Sequence, residues 1–357
     1  THSLIAKGIE AVNVASATTV TDSVTFTAVD SAVAITDSGA GVTTFSNLKT
    51  GSTYSSTVKK AAVTDDITLG FATSSAATLN VDLTKGTSGD LTLTNVADVT
   101  VTLGAASTMA TGITLDSAAT KLTVNATGAT DLSDIIGSGA DTTTGEKLAS
   151  ITVNGNLGVT ITDITNDKSI ASLAVTSSAT TTNTGDVTVG AVNSDVAVTS
   201  INVSSAGGSA AIGAIDAANA AFTGGLTTLT VSGVDTATAS SVTSITADDL
   251  ATASVTNTGA NSTIGAMTIT GSTADLTDGI VGTITVSGGT GASSTGTLAA
   301  DSIGTVTVTG TGLASTATIG AITVLGTAAT TDGTVTALKA SAVGAATIAA
   351  LQADSVG

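Results

Sequence analysis

A chain of 357 residues with 40 Gly, no Pro, no Cys, no Trp and only 1 % aromatic side chains cannot fill a wide globular core at native packing density. Its net charge of -18 comes from 27 acids and nine Lys without any Arg; it repels a phosphate backbone and offers no bidentate phosphate clamp, which excludes a nucleic-acid partner. The lack of Cys excludes disulfides, thiol nucleophiles and zinc-thiolate sites, and no run of 18 apolar residues exists to span a membrane as a helix, so no membrane insertion is expected.

The core must be built from Val, Ile, Leu and Ala, which suits a narrow solenoid only two or three side chains across. Residues 1–147 hold Phe26, Phe45, Tyr54 and Phe71 and most of the Lys. Alternating apolar and polar residues predict strands at 24–29, 67–69, 78–83, 91–94, 99–103 and 121–125, with turns such as 85–90. Such close spacing fits a β-sandwich or a tightly wound solenoid equally well. Residues 131–146 are polar and Gly-rich and read as a loop or boundary. The expected division is therefore a strand-rich β domain, 1–147, followed by a repeat β-solenoid, 148–357.

From residue 148 the strands settle into phrases, at 150–153, 172–175, 200–203 and 228–231. A sharper repeat follows: Ile264-Gly-Ala-Met-Thr-Ile-Thr-Gly271, Val281-Gly-Thr-Ile-Thr-Val-Ser-Gly288, Ile303-Gly-Thr-Val-Thr-Val-Thr-Gly310 and Ile319-Gly-Ala-Ile-Thr-Val-Leu-Gly326, with a degenerate copy at 343–350. These copies start 16 to 24 residues apart, the period of a stacked repeat in which each coil buries its apolar face on its neighbours. The expected fold class is all-β, a parallel β-solenoid. At about 19 residues per coil and one strand spacing of about 4.8 Å per coil, residues 148–357 would form a rod about 50 Å long. The Ala-rich stretch 337–353 has helical propensity, but Gly344 and its match to the phrase predict another strand coil. The closing 351–357 matches 298–304, where the phrase runs into the next strand, so the sequence reads as the middle of a longer polypeptide.

Residue types for catalysis are scarce. His2 is the single His and lies near the terminus, so no Ser–His–Asp, Cys–His or zinc cluster can be assembled and no enzyme is expected. Apart from Glu10 and Glu146 every acid is Asp, a turn former and a hard oxygen ligand. Calcium is the expected cofactor. Its candidate ligands lie at predicted strand ends: Asp65 with Asp66, Asp131 with Asp134, Asp163 with Asn166 and Asp167, Asp248 with Asp249, and Asp275 with Asp278. The alternative for each is a solvated turn residue. Thr-x-Thr runs recur, but the sequence shows no regular columns of them.

Gly8-Ile-Glu-Ala-Val-Asn-Val14 resembles the Gly-Ile-Glu-Thr-x-Asn-Val phrase of RTX-type bacterial proteins, and the composition is similar to that of type I secreted S-layer proteins and repeat adhesins. That resemblance implies an extracellular, calcium-dependent, self-assembling β-solenoid at the cell surface. The expected function is a structural one, as a subunit of an S-layer or extracellular filament. Its expected partners are further copies of itself and cell-surface polysaccharide. The alternative is the stalk of a large repeat adhesin.

Overall fold

The computed structural model describes residues 2–5, 7–15, 21–27, 30–73, 78–104, 107–137, 148–166, 170–194, 197–218, 225–269, 279–324, 333–353 and 355–356. Among these, every regular element is a strand, and the strands pair in parallel in two sheets. The fold is a parallel β-solenoid, in which each coil supplies strand segments to both sheets. The chain divides into two compact units, Thr1–Asp167 and Lys168–Gly357.

In the first unit one ladder runs through Ala11–Val14, Ala34–Asp37, Thr53–Ser56, Thr78–Leu83, Asp98–Leu103, Lys121–Ala126 and Ser150–Gly155. The other runs through Asp22–Phe26, Thr43–Leu48, Ile67–Phe71, Leu91–Thr94, Ile113–Leu115, Asp134–Gly137 and Val159–Asn166. A sandwich would require antiparallel hairpins; the parallel registers leave the solenoid alternative. Side chains of one kind stack coil upon coil. Leu79, Val81 and Leu83 lie on Val99, Val101 and Leu103, which lie on Leu122, Val124 and Ala126, all buried. The stretch expected to be a loop from 131 holds strand instead: Thr130–Asp131 and Asp134–Gly137 join the ladder. Leu132 and Ile135, each 0 % exposed, outweigh the Gly, Ser and Asp around them. Residues 138–147 lie outside the described ones.

In the second unit one ladder runs from Ile170–Ser177 through Val198–Ser205, Leu226–Gly233, Leu250–Asn257, Ile280–Gly288 and Ser302–Gly310 to Thr334–Ala342. Most of its strands are eight residues long, too long for one flat rung. Inward–outward alternation breaks once in each, where two successive residues both face out, as at Ala171 and Ser172 or Ala251 and Thr252, and strands of the other sheet break likewise, as at Gly190 and Ala191. The strand turns a corner there. At several of these corners coils approach backbone to backbone and only glycine fits: a Cβ on Gly213 would overlap the Gly190 carbonyl oxygen, and one on Gly304 would overlap that of Gly282, whereas other coils hold Ala171, Thr243 or Ala251 at the corner. This is why the repeated phrase carries Gly in its second place.

The phrase does not mark whole coils. Its copies at 281 and 303 belong to one sheet, whereas those at 264 and 319 belong to the other. Its spacing therefore mixes half-coils with whole ones. In register, Val281 pairs with Ile303 and Ile303 with Val335, so successive coils take 22 and 32 residues rather than about 19. With longer coils there are fewer rungs. Seven steps lead from Ile170–Ser177 to Ser355–Val356, about 34 Å of ladder. The Ala-rich stretch is strand, as Thr334–Ala342, Ala346–Ile348 and Leu351–Ala353.

Candidate functional site

Three features set chemistry on this frame: the turn carboxylates, a buried ionic cluster and an outward hydroxyl face. Where a coil leaves the ladder its N–H groups lose their strand partners, and Asp side chains take them up. Asp65 Oδ2 accepts the Ala62 N–H at 2.8 Å inside its own turn. Asp66 Oδ1 accepts the Asp90 N–H of the next coil at 3.0 Å. Asp131 Oδ1 accepts the Ser133 N–H at 3.0 Å, and Asp249 Oδ1 accepts the Ile280 N–H at 2.8 Å across a coil. Asp248 is buried beside it, 4 % exposed.

Asp134 and Asp163, assigned to different pairs by sequence spacing, are register partners on adjacent strands. Asn166 pairs with Gly137 in the same register, and Asp167, Asp275 and Asp278 lie outside the described residues. Among the described residues no three acidic or His side chains gather into a metal-holding group. Asp65, Asp66, Asp131 and Asp249 each accept a backbone N–H group through one carboxylate oxygen.

Asp90 does this most fully, and nothing in its sequence spacing singled it out. It accepts the Thr111 N–H at 2.8 Å, the Thr111 hydroxyl at 2.5 Å and the Gly112 N–H at 3.0 Å. Burial opposes its ionisation, but these bonds, with one from Ala110, outweigh that and hold the carboxyl below its ordinary value. The available signal was positional: Asp66, Asp90 and Gly112 each precede a strand of the same sheet, one coil apart.

The second feature lies in the core of the first unit. Asp37 ends the strand Ala34–Asp37 on the inward parity of Ile35, and its carboxylate is 1 % exposed. Its Oδ2 receives three donors: Lys60 Nζ at 2.8 Å, the Tyr54 hydroxyl at 2.7 Å and the Thr43 hydroxyl at 2.8 Å. Its Oδ1 accepts the Gly39 N–H at 2.7 Å. Lys60, 0 % exposed, also donates to the Gly41 carbonyl at 2.8 Å and to Thr43 Oγ1 at 2.9 Å. Burial first, then the Asp37 charge and hydrogen bond, pushes the Tyr54 phenol far above its ordinary range. Tyr54 packs against Phe45, and Phe45 against Phe26, each pair with ring centroids 6.1 Å apart. Sequence reasoning missed this cluster, although an Asp on an inward strand position is a signal that a buried cation must stand nearby.

The third feature is the outer surface of the ladder that starts at Ile170–Ser177. Its registers align three columns. Ser172, Ser200, Thr228, Thr252, Thr283 and Thr305 form one, and Thr176, Ser204, Ser232, Thr256, Ser287 and Thr309 another. Between them run Ala174, Asn202, Thr230, Ser254, Thr285 and Thr307. Regular hydroxyl columns were not visible in sequence because the connections between strands vary in length, while register holds only within them. None of these positions is acidic, although the chain carries a net charge of -18.

No protein-family model, no curated protein and no solved structure matches this chain. Among the described residues no helix is long and apolar enough to cross a membrane.

Proposed function

We propose that this protein is a structural component of an extracellular surface, a subunit that assembles with copies of itself into an S-layer-like sheet or a filament. The observation that carries this reading is the acid-free hydroxyl face. Copies of a chain with a net charge of -18 repel one another over most of their surface. A flat face of Ser and Thr in register lets two copies meet without juxtaposed carboxylates, and its hydroxyls can donate and accept across the contact. A contact that does not close on itself grows sheets or fibres. Cell-surface polysaccharide is a second partner that the same hydroxyls suit.

Calcium belongs to this proposal as the screen for the remaining charge. Carboxylates at the turns, together with Asp134 and Asp163 paired on adjacent strands, supply hard oxygens that a calcium ion shared between copies can use. The amino-terminal resemblance to RTX-type proteins points the same way. Sedimentation velocity at rising calcium tests the reading. The expected result is a growing series of large species that chelator reverses. A single slow species at all calcium concentrations would instead favour a non-assembling rod, the adhesin stalk.

A further inference from the structure

We propose that Lys60 and Asp37 condense into an intramolecular amide, a covalent tie between two consecutive coils of the first unit. This rests on the buried cluster alone and is independent of the assembly reading. The two groups are in contact at 2.8 Å and both are out of water. The carboxyl carbon lies one carbon–oxygen bond, about 1.2 Å, beyond Oδ2, so Lys60 Nζ is within about 4 Å of it. Near-attack geometry needs about 3 to 3.5 Å, a side-chain adjustment within a site that already fixes both partners.

The surroundings fit the reaction. The ion pair and the pair of neutral amine and carboxylic acid differ only in the place of one proton along an existing hydrogen bond. Once Nζ has passed a proton to Oδ2, its lone pair adds to the Asp37 carboxyl carbon and forms the nitrogen–carbon bond. Charge develops on Oδ1, which the Gly39 N–H already contacts at 2.7 Å. A second Nζ proton moves to Oδ2, with the Thr43 hydroxyl bridging the two at 2.9 and 2.8 Å as a relay. The carbon–oxygen bond to Oδ2 then breaks, and that oxygen leaves as water, assisted by the Tyr54 hydroxyl at 2.7 Å. Three protons start on Nζ; one stays on the amide and two depart in the water. No oxidant, cofactor or further reactant enters. Removing a desolvated ion pair and releasing water from a dry site both favour the product.

The tie would do for this chain what a disulfide does elsewhere, since the sequence has no Cys. Asp37 lies beside Ser56 in the ladder, and Lys60 stands four residues further along the same coil as Ser56, so the amide would clamp one coil to the next.

Mass spectrometry of the folded, purified protein tests it. The expected intact mass is one water below that of the sequence. Trypsin cannot cut after an acylated Lys60, so digestion should give a branched peptide joining residues 8–49 to residues 60–85. The peptide map is needed because Asp278-Gly279 and Asp332-Gly333 can also lose water as cyclic imides. Lys60→Met should restore the full mass and abolish the branch. Free peptides 8–49 and 61–85 from folded wild-type protein, or a water loss located elsewhere, would overturn the proposal even if the variant does not fold.

Discussion

Tyr54 is the only Tyr in a chain without Trp, which makes its titration directly visible in ultraviolet absorbance. Burial and the Asp37 carboxylate raise its folded value, so the folded state keeps the phenol proton that the unfolded chain releases near pH 10. The stabilisation is complete below pH 10 and declines as pH rises above it. Tyrosinate absorbance should therefore appear only together with loss of the β signal in circular dichroism. Reversible ionisation near pH 10 in a folded protein would contradict the burial. Asp90 has the opposite sign. Its folded value is depressed below the ordinary 3.8, so its contribution is present above that value and is lost as pH falls through the lower folded one. Asp90→Asn should lessen the dependence of stability on pH below about 4, as read by urea unfolding at several pH values. The buried carboxylate makes a larger demand. Lys60→Met would leave Asp37 without its cation and should destabilise the first unit by about 3 to 5 kcal/mol. None of this was legible as spacing between acids. Asp65, Asp66, Asp131 and Asp249, grouped by sequence proximity, each accept a backbone N–H, whereas Asp37, which holds the buried Lys60, has no acidic neighbour in sequence to mark it.

At the scale of the strand, inward Val, Ile and Leu alternating with Thr made the strands readable. The repeated phrase, with its Gly, made the stacking readable. Composition could not supply the pairing direction in the first unit, since antiparallel and parallel strands with one buried face share the same alternation. Nor could it supply coil length, because both sheets use the same phrase. The corners account for the Gly that propensity alone disfavours in a strand. Gly213→Val would drive a side chain into the Gly190 carbonyl and should cost about 1 to 3 kcal/mol, measured by chemical denaturation. By contrast, Thr188→Val, at an outward position of the strand Val187–Ser194 that meets no such backbone approach, should change stability by less than about 0.5 kcal/mol.

At the scale of the whole molecule, each unit is a stack in which every coil is held chiefly by the coils above and below it. Variable connections emerge at the turns while the registers keep the outer columns straight. That separation lets the chain vary its loops and keep a flat hydroxyl face, the face through which copies are proposed to assemble. Placing charge in two columns at once, with Thr230→Glu and Thr256→Glu, should prevent assembly without disturbing the inward residues. The most direct measurement is electron microscopy of the purified protein with millimolar calcium and again with chelator. Sheets or filaments are expected in calcium for the native chain, lost in chelator and absent in the double variant. Isolated particles of the native chain under both conditions would contradict assembly through the hydroxyl face.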